Sequence, residues 1–389
     1  MTRPFTIGLL GGGLQGVEAA VLARRAGWTS VLADARPAPP AALLAGSFLC
    51  GRIAALGDLD RTFGRCDLVL PTCEDPETWE LLAGWSGRGG APPVAFDWPA
   101  WRLSRDKSAS KRLFEKLAVP APLDYPRAAF PLIAKPVDLS GSRGVRRLDS
   151  PAELAGFFSG GRAGPEWVVE EFCPGPSYSL EVTGRPGDYE AWTVTRLFMD
   201  KAHDCRQVVC PAGLGRAEEE ELRALSLRLA GGLGLTGLMD VEAILTPGGF
   251  RILEIDARLP SQTPAAVLWA TGENLLVRLA RLFGGPAPAD TVTFSRAVIY
   301  EQVAPGAGGL ESVGEHRLSL AGPLRWEENF CGADLALTDW APDSAEWVAA
   351  LVITGRDPDE AWARRRESLA RLGLASGRPL APCLIEVGD

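Results

Sequence analysis

The chain has 389 residues, 46% hydrophobic and 23% charged, with a formal net charge of −9. That length exceeds one ordinary core, so two or three packed domains are expected. No export signal opens the chain, no apolar run nears the ~20 residues that cross a bilayer, and no basic stripe suits nucleic acid. A cytoplasmic protein with neither membrane nor nucleic-acid partners is the expectation.

In chain order, "FTIGLL" reads as a strand, "VEAAVLARRAG" as a helix ending at Gly27, and "TSVLAD" as a second strand. Gly11, Gly13 and Gly16 have the G-x-G-x-x-G spacing of a tight strand-to-helix turn, and Asp34 closes the next strand. "CDLVLP" and "PPVAFD" add two apolar runs, so residues 1–98 read as a Rossmann-like domain on a parallel sheet. A nicotinamide dehydrogenase is one reading of this stretch. The N–H groups and helix dipole beside Gly12, Gly13 and Leu14 equally suit a substrate carboxylate or a phosphate.

Residues 99–175 form the next segment. "SRDKSASKRLFEKLAVPAP" reads as a helix stopped by Pro120, with Lys107 and Lys111 one turn apart. A strand, "FPLIAKP", runs into the loop "VDLSGSRGV". Ser150, Pro151 and Glu153 then make a capping-box start for a helix, and "EWVVEEF" is another strand. In residues 176–285 strands dominate around the charged helix "AEEEELRALSLRLAGGL", and "LMDVEAILTPGGFRILEIDARLPSQTP" reads as a long hairpin. Residues 286–389 read as a small α+β tail with the strand "EWVAALVITG" and the helix "DPDEAWARRRESLARL". The eight cysteines include no C-x-x-C pair; His203, Cys205 and Cys210 are the nearest to a ligand cluster, and reduced apolar thiols are the better account.

The hairpin carries the strongest chemistry. Side chains alternate faces along a strand, so Asp240 and Glu242 share one face, as do Glu254, Asp256 and Arg258. A turn centred on Gly248 places Glu242 opposite Glu254 and Asp240 opposite Asp256. At ~5 Å and an effective dielectric of ~20, each like-charged pair costs roughly 3 kcal/mol. Arg258 offsets part of this; a hard divalent cation such as Mg²⁺ does so better, with Glu242, Glu254 and Asp256 as ligands. Asp240 is left for a cationic part of a substrate. A solvated polar hairpin face is the alternative, which the flanking apolar runs disfavour.

Lys135 ends an apolar strand before the loop of Ser140, Gly141 and Ser142, where a nucleotide phosphate would satisfy its charge. An ordinary hairpin turn explains that loop equally well. At "VVEEFCPG", Glu170 is placed to accept from an adenine amino group, with the backbone of Glu171, Phe172 and Cys173 beside it; a plain acidic strand end is the alternative.

The order of these pieces resembles the ATP-grasp ligase family over roughly residues 1–285, with a tail similar to that of biotin-carboxylase-like members. The resemblance implies an α/β protein: a Rossmann-like N-terminal domain, an ATP-grasp fold of two α+β units, and a small C-terminal α+β domain. It implies ATP phosphates on Lys107 and Lys135, adenine held by Glu170 to Cys173, two Mg²⁺ on Glu242, Glu254 and Asp256, and Arg258 steadying the transferred phosphoryl group. Two departures stand out. Asp256 replaces the family's Asn, and Ser177 replaces a ribose-binding Glu.

Within that family, "GGGLQGVEAA", "FDWPAWRLSRDKSASK", "HDCRQV", "MDVEAI", "EIDARLPSQTP" and "IYEQ" are similar to the ligases of pyrrolysine biosynthesis. This implies ATP-dependent joining of the 3-methyl-D-ornithine carboxylate to the ε-amine of L-lysine through an acylphosphate. Two diamino-acid substrates call for surplus acids: Asp240, Glu181, Asp204 and Glu74. Ser261 and Gln262 are polar contacts, and Gly12, Gly13, Leu14 and Gln15 offer a substrate site at the opening turn. Another ATP-grasp carboxylate–amine ligase, of dipeptide or purine-pathway type, would share the nucleotide residues. A dehydrogenase would leave the acidic hairpin without purpose. A homodimer is an assembly to test.

Overall fold

The computed structural model describes residues 3–139, 141–159, 166–287, 295–342 and 344–385. The chain divides into two compact units: residues 1–96, 205–211 and 259–389 form one, and residues 97–204 and 212–258 the other.

In the first unit β1 (Thr6–Leu10), β2 (Thr29–Asp34), β3 (Ser47–Cys50) and β4 (Leu68–Pro71) pair in parallel, in the order β3-β2-β1-β4. Parallel neighbours need crossovers, which here include α1 (Leu14–Arg25) between β1 and β2 and α2 (Leu56–Phe63) between β3 and β4, while α3 (Pro76–Ser86) leads to Val94, which bridges Val69 in parallel. Burial follows from this layering, and Ile7, Leu9, Leu32 and Leu68 are shut away from solvent.

The second unit begins with α4 (Trp98–Ser104) and α5 (Lys107–Lys116). Asp97 and Asp106 start them by accepting the N–H groups of Ala100 and Ala109. A three-stranded antiparallel sheet, β6-β5-β7, is built from β5 (Leu132–Pro136), β6 (Arg146–Leu148) and β7 (Trp167–Glu171). Leu132, Ala134 and Leu148 pack with Leu154 of α6 (Pro151–Ser159) to make its small core. Its larger sheet starts with β8 (Ser177–Arg185), β9 (Asp188–Ala191) and β10 (Thr195–Met199). After β11 (Cys205–Cys210), which belongs to the first unit, come α7 (Arg216–Leu233), β12 (Gly237–Thr246) and β13 (Gly249–Asp256). The order is β13-β12-β8-β10, with β9 on β8.

The chain then returns to the first unit with α8 (Thr263–Thr271), α9 (Leu275–Leu282), β14 (Ala297–Gly306) and β15 (Gly309–Ser312). There follow α10 (Glu315–Ser319), β16 (Arg325–Glu328), β17 (Leu335–Thr338), β18 (Ala349–Gly355) and α11 (Pro358–Ser376). These strands pair antiparallel along β11-β14-β18-β17-β16, with β15 on β14. Residues 259–285, expected to go with the hairpin, group with this unit because α8 packs on β11 and β14. Glu301 of β14 and Arg365 of α11 form a fully buried fork, with Nε–Oε2 at 2.5 Å and Nη2–Oε1 at 2.7 Å. Among the described residues no helix is long and apolar enough to cross a membrane.

Candidate active site

The acidic hairpin reaches the expected carboxylate pairing by another route, since its turn sets Thr246 opposite Gly249 rather than centring on Gly248. Glu242 lies opposite Glu254 and Asp240 opposite Asp256, with a register shift between Glu242 and Ala243. On the other side of β12, β8 sets Ser179 opposite Glu242 and Glu181 opposite Asp240. One sheet face therefore carries two rows: Ser179–Glu242–Glu254 and Glu181–Asp240–Asp256. Ser179, Glu181 and Asp240 are buried, and neither Ser179 Oγ nor Asp240 Oδ1 has a hydrogen-bond partner among the described residues. Burial, then Asp256 and Glu242, push the Asp240 carboxyl well above its ordinary range against the pull of Arg258. Arg258 Nη2 meets Asp256 Oδ2 at 3.0 Å.

Three lysines converge on this face or beside it. Lys107 Nζ sits 2.9 Å from Glu254 Oε1 and 2.5 Å from the Leu139 carbonyl. Lys135 Nζ donates to the Leu253 carbonyl at 3.2 Å and pairs with Glu170 Oε1 at 2.6 Å. Lys111 pairs with the other oxygen of Glu170 and, at 2.7 Å, with Asp124. Burial alone would lower the Lys135 ammonium, but Glu170, Glu254 and Glu242 outweigh it and hold its pKa above the ordinary value. Glu170 is the mirror case: burial raises it, and Lys135 and Lys111 outweigh that to hold it below.

This corrects the expectation for Glu170. Its carboxylate is buried between two ammonium groups, so it holds lysines in place rather than reading an adenine amino group. Lys111 was missed as a site residue, although its spacing from Lys107 put both on one helix face. Ser140 lies outside the described residues. Gly141 and Ser142 adopt left-handed backbone (φ 61° and 53°), and Ser142 Oγ donates to the His203 carbonyl at 2.5 Å, fastening the loop to the turn before Asp204. Beside Glu170, the N–H groups of Glu171 and Phe172 donate to the carbonyls of Leu123 and Pro131, so neither is free for a base. Burial raises the Cys173 thiol to about 11, so it stays protonated.

The carboxylates suit a hard cation in donor type, being oxygen throughout. As they stand, Glu254 is turned to Lys107 and Asp256 to Arg258. Accordingly, no three His, Cys, Asp or Glu side chains converge as metal ligands among the described residues.

The other substrate candidates lie in the first unit. Gly11 has φ 116°, and a Cβ on Gly16 would stand 2.2 Å from the Gly11 carbonyl oxygen, so this turn needs both glycines. Gly12, expected to offer its N–H to a ligand, instead donates to Asp34 Oδ2 at 2.6 Å. Arg36 takes the same carboxylate through its backbone N–H, Nε and Nη2. Asp34 thus closes the turn. Gln15 Nε2 donates to Glu74 Oε1 at 3.1 Å. Ser261 Oγ and Gln262 Nε2 both donate to Glu315 Oε2, at 2.7 and 2.8 Å. Glu315 had no local signal in the sequence.

A family model for the ATP-grasp domain matches residues 104–262. The 3-methyl-D-ornithine–L-lysine ligase of Methanosarcina mazei is 36% identical over 370 residues, covering 94% of this chain and 95% of that relative. The D-alanine–D-alanine ligase of Alcanivorax borkumensis is 30% identical over 182 residues, 41% of this chain and 56% of that relative. Among solved structures, the biotin carboxylase domain of Hydrogenobacter thermophilus 2-oxoglutarate carboxylase, a dimer with MgADP and bicarbonate, superposes with a TM-score of 0.72. It is 14% identical, over 95% of this chain and 90% of that one. An N5-carboxyaminoimidazole ribonucleotide synthetase in complex with ADP gives 0.70 at 17% identity, over 96% of this chain and 100% of that one. Those two likenesses establish the fold, α/β with an ATP-grasp core, and the dehydrogenase reading falls. The chain belongs to the ATP-grasp ligases and, within them, to the family of the 3-methyl-D-ornithine–L-lysine ligases.

Proposed function

We propose that the protein joins the carboxylate of 3-methyl-D-ornithine to the ε-amine of L-lysine, forming ADP and phosphate. The observation that carries the chemistry is the convergence of Lys107 and Lys135 on β13 at Glu254 and Leu253, beside opposed carboxylates. Similarity to the M. mazei ligase along 94% of the chain supports the substrate pair.

In this reading Lys107 and Lys135 exchange their carboxylate and carbonyl partners for ATP phosphates. Glu170 keeps Lys111 and Lys135 in place while they do so. The loop at Gly141 and Ser142 covers the phosphates, and the backbone from Glu171 to Cys173 borders the adenine. Glu242, Glu254 and Asp256 would hold Mg²⁺, in two ions, which neutralises charge on the phosphates when bound. The γ-phosphoryl group passes to a carboxylate oxygen of methylornithine, and ADP leaves. The lysine ε-amine then attacks the acyl carbon, phosphate departs, and the nitrogen sheds a proton. Positioning and charge stabilisation carry such transfers, and Arg258 supplies a fixed positive charge at the moving phosphoryl group. Asp240 and Glu181 take substrate ammonium groups, with Asp204, Glu74, Gly13, Leu14 and Gln15 as further contacts. The enzyme acts in the cytoplasm, as a homodimer.

Mass spectrometry of a reaction with ATP, Mg²⁺, L-lysine and 3-methyl-D-ornithine tests this. A condensed product with one ADP per bond is expected. Product from a different amino-acid pair alone would overturn the substrate assignment and leave the ligase chemistry standing.

A further inference from the structure

The second unit contains a cavity of about 620 Å³ that the ligase chemistry leaves unused. Its walls are one side of α5, the segment from Val119 to Arg127, the end of α6 and the edge strand β7. Two backbone bonds hold that segment along β7, from the Tyr125 N–H to the Val169 carbonyl and from the Glu171 N–H to the Leu123 carbonyl. Small-molecule sites typically enclose ~300–1,000 Å³, so the cavity is of ligand size. Of the residues tied above to ATP, Lys111 alone lines it, and Glu170 and Asp124 already neutralise that ammonium.

One part of the lining is apolar and flat. Seven large hydrophobic side chains stand exposed among the described residues, and three of them, Leu123, Tyr125 and Phe158, meet here. Tyr125 and Phe158, 48% and 50% exposed, are the two aromatic rings of those seven. Trp167 adds a third ring, edge-on to Phe157 with centroids 4.8 Å apart, and Phe158 meets the same Phe157 ring at 5.0 Å. The aromatic wall is thus braced before any ligand arrives, and exposed rings gathered in one concavity mark a binding surface.

The other part is positively charged. Arg112 and Arg127 line the cavity, and neither guanidinium has a hydrogen-bond or carboxylate partner among the described residues. The nearby acids do not serve them. Asp124 is taken by Lys111 at 2.7 Å, and Glu115, one turn along α5 from Arg112, makes no ion pair with it. Elsewhere exposed arginines do find acids, as in Arg216–Glu220 and Arg356–Glu360. Two guanidinium groups without acids select an anion, which each can grip through two parallel N–H groups.

We propose that this cavity binds a small ligand made of a flat apolar ring carrying one anionic group, a carboxylate or a phosphate. Tyr125, Phe158 and Trp167 take the ring, and Arg112 and Arg127 take the anion. The site is separate from the substrate assignment, since no residue given above to methylornithine or lysine lines it.

Fluorescence titration of the full chain with 2-naphthoate and with 2-naphthyl phosphate, each with and without saturating ATP and Mg²⁺, tests this. At least one of the two should bind equally well in both conditions, and at least tenfold tighter than 2-naphthol or inorganic phosphate; their ratio tells carboxylate from phosphate. The double variant Arg112→Gln, Arg127→Gln should weaken that probe at least tenfold, and so should Tyr125→Ser with Phe158→Ser. All four side chains are exposed, so circular dichroism should not change and ligation should stay within twofold of wild type. Displacement of the probe by ATP would put it in the nucleotide cleft and overturn the proposal. So would unchanged affinity in the arginine variant, equal binding of 2-naphthol, or no binding of either anion at millimolar concentration. If sedimentation velocity shows a dimer that Tyr125→Ser with Phe158→Ser abolishes, a second copy covers the cavity and the ligand assignment falls.

Discussion

Lys107 Nζ and Glu254 Oε1 are 2.9 Å apart, an ion pair that joins the first residue of α5 to a strand end far along the chain. A group proposed for ATP phosphates and a group proposed for Mg²⁺ thus neutralise each other. Glu254→Gln keeps the shape and removes the charge. Ligation and ADP release should fall roughly 100-fold or more, the scale of losing one fixed electrostatic contact in a transition state. Circular dichroism should be unchanged, and wild-type turnover would take Glu254 out of the site.

Glu170 is buried and binds both Lys111 and Lys135. Glu170→Gln leaves the Lys135 ammonium, itself buried, without its closest carboxylate. Removing one partner of a buried pair costs about 3–5 kcal/mol, so urea unfolding should show a loss of that order. A midpoint equal to wild type would mean that the lysines find other partners.

The raised Asp240 carboxyl sets a pH dependence whose sign can be worked out. Folding tightens its hold on a proton relative to the ordinary 3.8, so its contribution to stability is lost as pH rises from there through the raised folded value. Asp240→Asn removes that loss. Thermal midpoints taken from pH 4.5 to 8 without metal should show the variant gaining on the wild type as pH rises. Glu170 acts in the opposite sense, since its lowered value gives stability that is lost in acid. A gap that stayed constant with pH would contradict the Asp240 assignment.

The Glu301–Arg365 fork lies in the first unit and is nearly solvent-free. Glu301→Gln strands a buried guanidinium and should cost about 3–5 kcal/mol in chemical denaturation. Replacing both residues by methionine should recover most of that loss. A double variant as weak as the single one would show that shape, not charge, holds α11 to β14.

Much of this architecture is written locally. Asp97, Asp106 and Asp75 stand where helices begin, Gly234 and Gly377 where they end, and the hairpin's alternating acids announce a charged face. These features depend on neighbours a few residues away, so short stretches of sequence are enough to set them. Register is different. The two-residue turn with Thr246 opposite Gly249, continued without interruption, would set Glu242 against Leu253. The register shift between Glu242 and Ala243 restores the carboxylate pairing, and only the assembled ladder contains it. Side-chain partners are likewise non-local. The acidic end of β7 read as a base-recognition edge until the fold brought Lys111 and Lys135 to Glu170. The Gly12 N–H was promised to a ligand until Asp34, 22 residues on, took it. Gln262 meets its hydrogen-bond partners Glu18 and Glu315 from 244 and 53 residues away. Local pattern decides which face of an element is charged; which opposite charge or lone pair meets that face is decided by long-range packing.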